Sequence, residues 1–172
     1  MHMADALVSP PVATGMAVAS LAVGAYSIFK IKKENKPENI PVMGVMGAFV
    51  FATQMVNFTI PGTGSSGHLC GGLLLSALIG PYGGFLSMMA ILLLQCLLFA
   101  DGGLMAYGCN VWNMAFYACF FGYFCIYKPI LGKNPSKKKI LIASILGSVL
   151  SLQLGAFSVT LETLISGVTE LP

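Results

Sequence analysis

The chain has 172 residues, of which 56% are hydrophobic and only 9% charged. A water-soluble domain carries about 25% charged residues, so this composition excludes a soluble fold and defines a membrane protein. Its nine positive charges are all lysines gathered in two loops rather than along a stripe, which excludes a nucleic-acid-binding surface despite the net charge of +3.

The chain opens MHMADALVSPP, where Asp5 is the only charged side chain. A secretory leader needs a positive stretch ahead of an apolar one, so no cleaved leader is expected. Met1 is removed only ahead of a small residue, and histidine is large, so Met1 should stay, with a free amine. The first predicted span is 12–29, with Pro10 and Pro11 at its start, where proline is tolerated. The charged loop KIKKENKPENIP follows, then a second span over 42–60. In that span Gly44, Ala48 and Ala52 recur every fourth residue, a pattern that permits close helix contact. Packing within the bundle is the plainer use of that stripe, and contact with a partner's helix the alternative. The loop PGTGSSGH comes next, with Thr63, Ser65 and Ser66 read as turn residues.

Residues 69–100 form one apolar run. As a single helix it would be roughly 48 Å long, against a hydrocarbon core of about 30 Å. The sequence GPYGG at 80–84 breaks helices, giving spans at 69–79 and 84–100. A fifth span over 105–127 and a sixth over 140–161 flank the loop KPILGKNPSKKK. The prediction is an all-α polytopic membrane protein of six spans, with 1–172 as one membrane-embedded substrate-binding domain.

Lysine-rich loops lie on the cytoplasmic side. The clusters at 30–36 and 128–139 share a side only if an even number of spans separates them, which supports the break near Pro81. The N-terminus then lies outside, together with 61–68 and 101–110. His2 and His68, the chain's two histidines, therefore meet on one side. Glu162 falls just past the sixth span, where a charge is tolerated near headgroups, and no acid or histidine remains inside a span. The five cysteines include no C-x-x-C pair and read as small packing residues.

Met1 and His2 carry three linked nitrogens. The Met1 amine and the His2 amide close a five-membered ring around a metal, and the same amide with His2 Nδ1 closes a six-membered one. The planar peptide keeps these donors nearly coplanar. A fourth nitrogen from His68 would complete a square, the geometry of Ni(II) or Cu(II), with low-spin Co(II) also conceivable. Binding should release protons and weaken as pH falls. Two ordinary polar loop histidines are the plainer reading. Asp5 and Asp101 could orient a ligating histidine through its other nitrogen, or could cap helices. Gln54, Asn57 and Asn110 could hold the N-terminal segment inside the bundle, or form helix–helix hydrogen bonds. Met3 reads as packing.

MHMADALVSP, QMVNFTIPGTGSSGHLCGGLL and LLLQCLLFADGGLMAYGCNVWNMA together resemble the CbiM/NikM family, the substrate-specific membrane components of energy-coupling-factor cobalt and nickel importers. The resemblance runs along nearly the whole chain. It implies a metal held by Met1, His2 and His68, with Ni(II) or Co(II) as transported substrate and no catalytic cofactor. It also implies a transmembrane coupling subunit, two cytoplasmic ATPases and a further small membrane subunit, in a prokaryotic plasma membrane. The chain has no G-x-x-x-x-G-K-[ST] phosphate loop, so ATP hydrolysis belongs to partners and the chain is not an enzyme. Family members usually have a seventh span near the C-terminus, so this sequence is expected to be truncated. A secondary metal permease working without ATPases is the main rival, and would be expected to carry acids or histidines along a path inside its spans. A vitamin-binding component would need an apolar cavity with aromatic contacts and would leave the N-terminal histidine unused, and for a membrane enzyme no nucleophile and base appear at workable spacing.

Overall fold

The computed structural model describes residues 2–34, 38–62 and 65–168. The Met1 amine and Thr63 lie outside the described residues. A single 3-10 turn, Asp5–Leu7, leads into α1 (Pro10–Glu34). Then come α2 (Asn39–Gln54), the strands β1 (Asn57–Ile60) and β2 (Ser65–His68), α3 (Gly72–Phe99), α4 (Tyr107–Leu131) and α5 (Lys137–Ile165). Across Trp112–Tyr127, α4 is wound as a π-helix.

Four helices, α1, α3, α4 and α5, are long and apolar enough to cross a membrane, and α2 is a shorter apolar helix. Their large side chains point outward: Leu21, Leu141 and Ile145 are exposed, as lipid-facing residues must be, because lipid tails are as apolar as leucine. Small residues bring the backbones together instead. A Cβ on Gly108 would run into the backbone of Ala17 in α1, and at that contact Ser20 Oγ donates to Gly108 O at 2.8 Å.

The count of six full spans is corrected in two places. First, α2 stops at Gln54, and 57–60, predicted as the end of the second span, is a strand of an antiparallel hairpin in which Asn57 pairs with His68. Pro61 cannot continue a helix, and hydropathy alone does not separate an apolar strand from an apolar helix end. Ser65 and Ser66, read as turn residues, belong to the second strand. Second, the break in 69–100 is present, at Gly80, with φ 81° and ψ 160°. That left-handed φ suits glycine, and Pro81 follows it. The chain doubles back there: a Cβ on Gly84 would lie 2.8 Å from Ser76 N, whereas residues eight apart in one straight helix are about 12 Å apart. The piece 72–79 rises only about 12 Å. It begins against Ala118 and Met114 O in the middle of α4, so it is a half-helix inside the bundle rather than a span.

Candidate metal centre

The N-terminal segment folds back into the end of the bundle that carries the hairpin. Asn110, buried in the first turns of α4, grips the backbone of Met3 at both groups. Its carbonyl oxygen accepts from Met3 N at 2.7 Å, and its amide donates to Met3 O at 3.2 Å. Gly103 N donates to the same oxygen at 2.8 Å. Two residues on, the Asp5 carboxylate accepts from Ala106 N at 2.9 Å, at the start of α4. Asp5 therefore takes the capping role rather than orienting a histidine. The neighbouring glycine makes room for it, since a Cβ on Gly103 would run into the Asp5 side chain.

These anchors carry His2 inside, where it is 4% exposed. Its Nδ1 lies 3.1 Å from Asp101 Oδ1, and its Nε2 lies 3.2 Å from Gln95 Oε1. Asp101 thus faces the nitrogen that the chelate needs, and Gln95 faces the second nitrogen, the reverse of the arrangement expected for Asp101. Gln95 Nε2 donates to Gln54 Oε1 at 3.1 Å, and both amides are fully buried. Asn57 Nδ2 donates to Asp101 Oδ2 at 2.9 Å. The hydrogen bond with His2 holds the Asp101 carboxyl below its ordinary pKa, against the opposing effect of burial.

His68 arrives from the hairpin, opposite Asn57. Its ring stacks on His2 with centroids 4.7 Å apart and planes 30° from parallel. His68 Nδ1 lies 2.8 Å from Leu69 O. A carbonyl only accepts, so Nδ1 carries the proton and Nε2 the lone pair. Nε2 is buried and has no hydrogen-bond partner among the described residues. Burial lowers the imidazole pKa to about 4, so the ring is neutral at pH 7 and its lone pair can bind a metal. Among the described residues no group of three or more His, Cys, Asp or Glu gathers into a metal cluster, and a metal here would call on main-chain nitrogens as well as imidazoles.

The remaining residues singled out in the sequence fall elsewhere. Gly44, Ala48 and Ala52 are exposed on α2 rather than packed within the bundle. Gly44 and Ala48 line an apolar cleft of about 460 Å³ between α2 and α3. Glu162 is not beyond the last span. Helix α5 continues to Ile165, and Glu162 is buried within it, accepting from Asn113 Nδ2 at 2.7 Å. One acid therefore does lie inside a span. Gln95 and Gly103 were not singled out. The lone polar residue in LLLQCLLF was the available signal for Gln95, since an amide in an apolar span needs a partner.

A polytopic helical bundle whose buried N-terminal histidine meets a hairpin histidine at one end is the architecture of a metal-handling membrane protein. The chain belongs to the CbiM family: residues 2–171 match the family described as the cobalt uptake substrate-specific transmembrane region. It is 42% identical over 136 residues to a putative fused nickel transport protein, NikMN, of Archaeoglobus fulgidus, covering 79% of this chain and 44% of that protein. It is 34% identical over 145 residues to the cobalt transport protein CbiM of Acetoanaerobium sticklandii, covering 83% of this chain and 59% of that one. A crystal structure of a truncated transition metal transporter superposes with a TM-score of 0.85 at 32% identity, covering 95% of this chain and 74% of that chain. The chain spans about half the length of the curated relatives it matches.

Proposed function

We propose that this multi-pass membrane protein is the substrate-capture subunit of an ATP-driven importer for Ni(II) or Co(II). The ion is bound from the outer side by the Met1 amine, the His2 amide and Nδ1, and His68. The observation that carries the reading is His68 Nε2, a buried lone pair with its tautomer fixed by Leu69 and no hydrogen-bond partner among the described residues. An unfilled acceptor in a dry site is costly unless something cationic occupies it. The relatives named as nickel and cobalt transport proteins support the choice of ion.

In this reading Asp101 guards the place of the metal. The ion displaces it from His2 Nδ1 and takes up the nitrogen, while Gln95, braced by Gln54, fixes the other edge of the ring. The carboxylate stays alongside, and its charge offsets that of the ion. The metal keeps its oxidation state and no bond of a substrate is made or broken, so the subunit is not an enzyme. Energy comes from two cytoplasmic ATPases through a transmembrane coupling subunit, and the exposed small-residue face of α2, Gly44 to Ala52, is available for a partner's helix.

Uptake measurements separate this reading from a permease that works without ATP. Cells expressing the chain with its coupling and ATPase subunits should accumulate Ni(II) or Co(II), and cells expressing the chain alone should not. Equal accumulation in both would replace the importer reading by the permease.

A further inference from the structure

Deeper in the bundle, behind the histidines, a second set of donors converges. Glu162 of α5 is 5% exposed and Asn113 of α4 is 1% exposed. Asn113 Nδ2 donates to Glu162 Oε2 at 2.7 Å and lies 3.7 Å from Met3 Sδ. Cys109 precedes Asn113 by four residues, so both lie on one face of α4. The Cys109 thiol is fully buried and sits beside the Glu162 carboxyl. Glu162 Oε1 and Asn113 Oδ1 are both buried and have no hydrogen-bond partner among the described residues.

An ionisable residue inside a span is expensive and needs a partner. Glu162 has no lysine to pair with, because all nine lie in the 30–36 and 128–139 segments. Nor is its charge needed by the outer chelate, where one divalent ion, one deprotonated amide and the Asp101 carboxylate already sum to zero. A divalent ion held by the Glu162 carboxylate and the Cys109 thiolate is also neutral, which suits a low-dielectric interior. Met3 Sδ supplies an uncharged donor, and Asn113, whose Nδ2 faces both Glu162 and Met3, orients the carboxylate. Binding there releases two protons to water, one from the carboxyl and one from the thiol, and involves no redox change. Mixed sulfur and oxygen ligands differ from the all-nitrogen square outside, and favour softer or tetrahedral binding.

We infer that Glu162, Cys109 and Met3, with Asn113 positioning the carboxylate, form a second, inner site for a divalent transition-metal ion. The inference rests on the chain handling such ions, and does not depend on the N-terminal chelate being correct.

Cobalt titration of the whole chain in lipid nanodiscs tests it, read by bound Co(II) and by near-ultraviolet sulfur-to-cobalt charge transfer. An all-nitrogen site produces no such band. Wild type should bind two equivalents, with the band growing as the inner site fills. Cys109→Ser should lose the band, and Glu162→Gln should weaken the inner site about tenfold or more, while the outer equivalent stays and reports an intact fold. A wild type that binds a single equivalent without the band overturns the inference, as does a band that survives in Cys109→Ser. Failure of the outer chelate would look different: the nitrogen-bound equivalent would vanish while the thiolate band remained.

Discussion

The imidazoles of His2 and His68 stack 4.7 Å apart at the end of the bundle, and each is held from behind by a different partner. Gln95 and Asp101 flank His2, and Leu69 O accepts from His68. One ring comes from the extreme N-terminus and the other from a hairpin, so the pair exists only when the N-terminal segment is seated.

That dependence makes Asn110 a sensitive position. Its two hydrogen bonds with Met3 need one acceptor and one donor on the same side chain. Asn110→Leu supplies neither: it leaves Met3 N buried without an acceptor, at about 1–3 kcal/mol, and leaves Gly103 N as the donor to Met3 O. Limited proteolysis of the variant should cut near the N-terminus where wild type resists, and Ni(II) affinity should fall with it. Wild-type resistance and affinity in Asn110→Leu would show that Met3 is seated by other contacts.

Gly103→Ala should have a related effect by a steric route. The added Cβ would occupy the space of the Asp5 side chain, so the contact between Asp5 and Ala106 N must break. Metal affinity is expected to drop while the helix content seen by circular dichroism is unchanged. Unchanged affinity would mean that the segment tolerates release of this anchor.

Asp101→Asn keeps the shape of the side chain but removes the charge beside His2. With one negative charge fewer beside the divalent ion, Ni(II) affinity should fall, measurable by calorimetry. An affinity equal to wild type would remove Asp101 from the account.

Stability of the metal-free protein should depend on pH through His68. Its pKa falls from 6.5 to about 4 on folding, so between those values the unfolded chain binds more protons than the folded one. Stability contributed by the neutral ring is present above pH 6.5 and is lost as pH falls toward 4. Thermal unfolding across this window should show a shallower pH dependence in His68→Gln than in wild type. The lowered Asp101 pKa acts at more acid pH, below the ordinary aspartate value of 3.8, so the two effects separate. Parallel curves for wild type and His68→Gln would refute the assignment.

The meeting of the two histidines was legible in the sequence because lysine bias and the GPYGG break together fix which loops share an end. The site's supports were less so. Gln95 acts on His2, ninety-three positions away, and no local pattern carries that pairing. Asp101 was visible as an acid on the correct side, but which histidine nitrogen it faces depends on how deeply the N-terminal segment sinks. The segment 57–60 reads as apolar whether strand or helix, so hydropathy extended the second span over it. Glu162 was misplaced because a window of hydropathy ends at the first charge, whereas α5 continues past it and turns that charge inward to Asn113.

If the Met1 amine is a metal ligand, blocking that one atom opens the chelate. Ni(II) titration by calorimetry would compare the protein carrying a free Met1 amine with the same protein acetylated there. Both forms retain His2, His68 and every side chain around them. The free form should bind tightly, and acetylation should remove most of that affinity. Equal affinity in the two forms would contradict this, leaving His2 and His68 as ordinary imidazole ligands and the square nitrogen site wrong.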